Sequence, residues 1–71
     1  EMNEIKLGKY RHFKGQMYEV IGIARHSETQ EKLVIYRALY GAEEIWARLL
    51  KMFMGTVEAD GKEVRRFERI G

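Results

Sequence analysis

The chain has 71 residues, no cysteine and no proline, and its 13 Lys and Arg set against 11 Asp and Glu leave a formal net charge of +2. That length allows one domain, residues 1–71, with a small core. The cysteine count excludes a disulfide framework, a thiolate metal site and a cysteine nucleophile, and fits a cytoplasmic setting. The slight basic excess falls short of a dedicated nucleic-acid binder, no apolar run has the length of a membrane span, no basic-then-apolar leader opens the sequence, and the 45% hydrophobic content suits a folded globule.

Glycines at 8, 15, 22, 41, 55 and 61 cut the chain into short pieces, the rhythm of a small β fold. In the segment 9–14, Tyr10 and His12 share one face of an extended chain, and the sequence around Gly15 reads as a tight turn. Residues 17–25 alternate as a strand with apolar residues on both faces, and Gly22 inside it predicts a bulge or bend. The polar segment 26–31 reads as a loop in which Ser27, Glu28 and Thr29 bond to nearby backbone. Residues 32–40 form a second long strand and complete a hairpin. Leu33, Ile35, Arg37 and Leu39 lie on one face of it, and Val34, Tyr36, Ala38 and Tyr40 on the other.

The segment 42–54 supports two readings. Ile45, Leu49 and Phe53 recur at helical spacing and Glu44 stands four residues before Arg48, which describes one helix packed on a sheet in an α+β fold. The rival is a short strand over 45–48 followed by a helical turn over 49–53, with Gly41 as the bend before it. Beyond it, Asp60-Gly61 between two short alternating runs is a strong hairpin signal, since both residues accept the positive φ of a type I′ turn. Phe67 and Ile70 then fasten the end of the chain to the core.

The strings Gly8-x-Tyr10-Arg11-His12-Phe13-Lys14-Gly15, Tyr18-Glu19-Val20, Ala24-Arg25-His26-Ser27-Glu28-Thr29 and Val34-Ile35-Tyr36-Arg37-Ala38-Leu39-Tyr40-Gly41 resemble the bacterial domain of unknown function 1653. Trp46-x-Arg48, Met52-Phe53 and Val57-Glu58-x-Asp60-Gly61-Lys62 continue the match over nearly the whole chain. The resemblance implies a mainly β, small SH3-like barrel or roll with one short helical turn, and hence a strand around Trp46. It supplies no mechanism. The family pattern carries proline where this chain has Leu49 and Arg65.

Catalytic motifs are weak. His12, His26 and Glu28 are the candidate ligands or acid–base groups, yet no helical spacing enforces their convergence, and His26-Ser27 neighbours on a strand point apart. Phosphate-loop glycine patterns are missing, and adjacent Glu43 and Glu44 do not face each other across a cleft. The chain is therefore expected not to be an enzyme and to carry no cofactor or metal. Tyr10, Tyr18, Tyr36, Tyr40 and Trp46, together with Arg11, Arg37 and Arg48, make the more informative set. Arg37 needs an acceptor, with Glu19 or Glu28 as its internal partner. Arg65, Arg66 and Arg69 are interrupted by acids and read as a solvated strand face.

The resulting expectation is a non-catalytic binding or interaction module. Its ligand-binding candidates are Tyr10, His12, His26, Glu28, Tyr36, Arg37, Tyr40, Trp46 and Arg48. A protein or peptide partner is favoured over single-stranded nucleic acid, no membrane is involved, and the chain is a monomer or a weak homodimer, since a small domain gains from burying more apolar area.

Overall fold

A computed structural model of the chain describes residues 5–71. The elements run β1 (Gly8–His12), β2 (Met17–Arg25), β3 (Lys32–Ala38), β4 (Ile45–Leu49), α1 (Leu50–Phe53), β5 (Thr56–Ala59), β6 (Lys62–Arg65) and β7 (Phe67–Arg69). Five strands make one sheet in the order β4-β3-β2-β1-β7, and β5 and β6 form a separate hairpin. The mainly β reading holds. The barrel is not closed, because no ladder joins the outer strands β4 and β7 of the sheet.

The side-chain period of a strand explains the two faces. Tyr10 pairs with Tyr18, Tyr18 with Ala38, Val20 with Tyr36, Tyr36 with Trp46, and His12 with Phe67, so all of these share the concave face. The convex face carries Glu19 opposite Arg37 and Ile35 opposite Ala47. In β2 the register shifts between Val20 and Gly22, which leaves Ile21 as an extra residue in a bulge. A bulge adds twist and bend, and here it curls the sheet, as Gly22 predicted.

The core lies inside that curl. Val34 and Phe53 are the most deeply buried side chains, joined by Val20, Tyr36, Tyr10, Leu50 and others. Phe53 stacks flat on Phe67, with ring centroids 4.0 Å apart and an interplanar angle of 5°. Tyr10 and Tyr36 meet Phe53 edge-on at 5.4 and 5.3 Å. Side chains, rather than backbone hydrogen bonds, thus bridge the open side of the sheet. Of the two residues expected to fasten the C-terminus, Phe67 is buried and Ile70 is exposed.

The 42–54 segment resolves as a strand followed by one helical turn, and the single helix is ruled out. Residues 45–49 pair with 33–37 of β3, which gives that strand's hydrogen-bonding edge a partner that a helix would deny it. Leu49, where the family pattern has proline, sits at φ −54°, ψ 137°. That is within the range proline itself adopts, so losing the proline leaves the extended entry to α1 intact. Gly41 takes φ +58° in the turn before β4, and Asp60 and Gly61 take φ +53° and +75°, the signature of the expected type I′ turn.

Truncating Phe53 removes the ring that Tyr10, Tyr36 and Phe67 share. Phe53→Ala is expected to cost about 3–5 kcal/mol. The total stability of a domain this size is roughly 4–11 kcal/mol, so urea denaturation should show a midpoint shifted far down or no folded baseline.

Candidate functional site

The aromatic residues of the concave face continue past the core to an open mouth. Around Phe67, His12 packs edge-on at 5.0 Å, Tyr18 at 5.6 Å and Tyr36 at 5.5 Å. Arg48 projects from β4 over this cluster. Its guanidinium carbon lies 5.9 Å from the Phe67 ring centre, and its Nε–H donates to the Tyr36 hydroxyl at 3.2 Å. The Tyr18 and Tyr40 hydroxyls share a hydrogen bond at 2.6 Å. Trp46 stands directly opposite Tyr36 in the ladder and is 50% exposed, and Tyr40 is 46% exposed.

The mouth is electropositive. Three cations act on His12: Arg48 from β4, Arg66 from the β6–β7 junction and Lys14 from the β1–β2 turn. Among the described residues none of the three forms an ion pair, and Arg66 Nε is buried with no hydrogen-bond partner. Burial first, and then these three charges, push the His12 ring below its ordinary value of 6.5. Its Nδ1 accepts the Lys14 backbone N–H at 3.2 Å, which assigns the proton of the neutral ring to Nε2. Burial and the bond to Tyr40 push the Tyr18 hydroxyl up to about 12, so it remains a neutral donor. The mouth therefore offers N–H and O–H donors, and among the described residues no carboxylate is paired with its three cations.

Four of the nine residues singled out from sequence meet here with exposed or half-exposed side chains: His12, Tyr40, Trp46 and Arg48. Tyr36 contributes its hydroxyl while its ring is core. Tyr10, expected as a ligand contact, is instead a core residue, 7% exposed, whose hydroxyl donates to the Lys6 carbonyl at 2.7 Å. Arg37 lies on the convex face, donating to Glu19 at 2.8 Å, which is the internal partner anticipated for it. His26 and Glu28 sit in the β2–β3 loop, at the far end of β2 from His12. There His26 Nδ1 accepts the backbone N–H groups of Glu28 and Thr29 at 3.1 and 3.3 Å, which makes it a turn residue apart from the mouth. Among the described residues no three His, Cys, Asp or Glu converge as a metal site.

Tyr18, part of the wider aromatic set read from the sequence, also lines the mouth, and Lys14, Arg66 and Phe67 complete it from outside that set. Phe67 and Arg66 arrive through the β1–β7 pairing, which joins positions 12 and 67 and leaves no local trace in the sequence.

Comparison with known proteins bears on the whole chain. The family described as protein of unknown function DUF1653 matches residues 8–69. The chain is also similar to the crystal structure of a DUF1653 protein from Bordetella bronchiseptica. That match has a TM-score of 0.89 and 36% identity, over 100% of this chain and 94% of that one. No curated protein matches the chain. The chain belongs to the DUF1653 family.

Two titrations follow from the site. Arg48→Ala should move the His12 ring upward toward 6.5, read from its ring C–H resonances in an NMR titration. A depressed histidine value also means that the unfolded state takes up the proton first. Stability should therefore rise with pH through the interval just below 6.5 and level off above it, and His12→Gln should remove this contribution. Tyr40→Phe deletes the partner of Tyr18, so ultraviolet titration should show Tyr18 ionising closer to its ordinary value of 10.

Proposed function

We propose that this DUF1653 member is a non-catalytic binding module of the cytoplasm. Its ligand, a protein or peptide segment carrying an acidic side chain, docks at the concave mouth. The observation that carries this reading is the state of Arg48. Its Nε is committed to Tyr36, its guanidinium carbon lies 5.9 Å from the Phe67 ring centre, and among the described residues no carboxylate pairs with it. The remaining N–H groups of a guanidinium fixed in this way match a carboxylate, and charge-assisted bonds of that kind are about twice as strong as neutral ones. Trp46 and Tyr40 supply exposed aromatic area beside it, the residue types that anchor protein contacts.

Trp46 and Tyr40 also border a cleft of about 240 Å³ with Ala38, Gly41, Glu43 and Glu44. The two carboxylates at that end repel a phosphate backbone and suit a neutral or basic side chain. The ligand surface is thus polar from one end to the other, cationic around Arg48 and acidic beside Trp46, and a peptide with mixed charges complements it. The second reading, single-stranded nucleic acid, rests on three cations around His12 that form no ion pair among the described residues, with an exposed indole nearby.

A fluorescence and NMR titration separates the two. A short peptide of mixed charge, with one glutamate flanked by lysine and apolar residues, should shift Trp46 emission and the His12 ring signals, lose affinity only shallowly between about 50 and 200 mM salt, and lose its effect in Arg48→Ala. An oligothymidylate that binds where the peptide does not, with a steep salt dependence, would establish the second reading. Silence with both probes would remove the mouth as a binding surface.

A further inference from the structure

We infer that β4 is a self-pairing edge: two copies of this chain join antiparallel along Ile45–Leu49 about a two-fold axis at Ala47. Each copy then lends its Trp46 to the mouth of the other.

The argument begins with hydrogen-bond direction. The Ala38 N–H donates to the Glu44 carbonyl at 2.9 Å, and the ladder continues with 36 opposite 46 and 34 opposite 48. Bonded and non-bonded pairs alternate along an antiparallel ladder. Residues 44, 46 and 48 therefore turn their backbone groups toward β3, and residues 45, 47 and 49 turn theirs outward. β4 is the last strand of its sheet, so these outward groups face no strand among the described residues.

The usual protections of an edge are missing here. The strand reads Ile-Trp-Ala-Arg-Leu, with no proline and no bulge, and its one charge, Arg48, points to the concave face. Ile45 is 60% exposed, the highest value among the exposed large apolar side chains, and Trp46 beside it is 50% exposed. The opposite edge, β7, is only three residues long and carries Glu68 and Arg69.

The side chains then select the occupant. Antiparallel pairing centred on Ala47 sets Ala47 opposite Ala47 of the partner subunit and Ile45 opposite Leu49 of the partner subunit, both at outward-bonding positions on the convex face. It sets Trp46 opposite Arg48 of the partner subunit on the concave face. That is a non-hydrogen-bonded pair, the closest kind, and it joins an indole to a guanidinium stem and head. Beyond the strand ends, the acidic Glu43 and Glu44 of one copy approach Lys51 of the partner subunit, which is 74% exposed and would share its charge between them and its own Glu31, 3.3 Å away. Each contact has its mate by symmetry, as an isologous interface requires. The result is a ten-stranded sheet across the pair, with two concave mouths meeting at the axis.

The test uses the whole chain. Sedimentation over a concentration series should show a monomer–dimer equilibrium, with Trp46 emission shifting to the blue as dimer forms. Ala47→Pro removes an outward N–H and leaves the β3 ladder intact. It should retain the circular dichroism of the parent and raise the dimer Kd at least about tenfold. Ala47→Cys gives the chain its one thiol at the axis, where directly opposite Cα atoms lie about 5.5 Å apart, suited to a disulfide. Under mild oxidation it should cross-link at least about tenfold faster than Ser27→Cys in the exposed β2–β3 loop, a contrast read against the same symmetric pairing. A chain that stays monomeric throughout, cross-linking no faster at 47 than at 27, or a dimer indifferent to Ala47→Pro would overturn the proposal. The last outcome would assign dimerisation to another surface; the first two would leave the edge to a foreign strand.

Discussion

The stacked pair Phe53–Phe67 is the contact on which the rest of this molecule depends. The sheet curls but does not close, and its outer strands β4 and β7 share no ladder. What holds the open side is aromatic packing: a one-turn helix delivers Phe53 from β4, and the chain returning through the β5–β6 hairpin delivers Phe67. Tyr10 and Tyr36 seal the pair from the sheet. A small domain has few side chains to spend on a core, and rings bury the most area per residue. The same economy explains why the mouth begins where the core ends: Tyr36 is core through its ring and site through its hydroxyl.

Electrostatics at the mouth follow from this packing. The rings hold Arg48 near the Phe67 face, and the tight β1–β2 turn and the β6–β7 junction bring Lys14 and Arg66 to the same histidine. Outside the mouth, Arg37 pairs with Glu19, Lys51 with Glu31 and Arg11 with Glu68. Exposed pairs of that kind contribute about 0–1 kcal/mol each, so they serve solubility and local order more than stability.

Much of the architecture was legible in the residues. Alternation marked β2 and β3, Gly22 marked the bulge, and Asp60-Gly61 marked the final hairpin, because each depends on neighbours in sequence. The 45–53 stretch was ambiguous for a definite reason: Ile45, Leu49 and Phe53 fit a helix while Trp46 and Arg48 fit a strand, and the decision belongs to β3, which needed an edge partner. At the mouth, parity along β3 and β4 was enough to group Tyr36, Trp46 and Arg48. Parity does not say how far the core extends: Tyr10 has the parity of the concave face, yet Phe53 of α1 packs over it. Arg37 has the opposite parity and faces away. Arg66 read as part of a solvated basic run because its placement depends on a pairing that spans most of the chain.

The extra residue in β2 has one more implication. Ile21 shifts the alternation of β2 by one: Val20 meets Tyr36 and Ile23 meets Val34, so even positions face the concavity before the bulge and odd positions after it. The bend at this point comes from a length difference of one residue between two strands. Within a lineage, a single-codon deletion or insertion at this point offers a way to flatten or deepen the bowl while its rings and arginines keep their places in the weave.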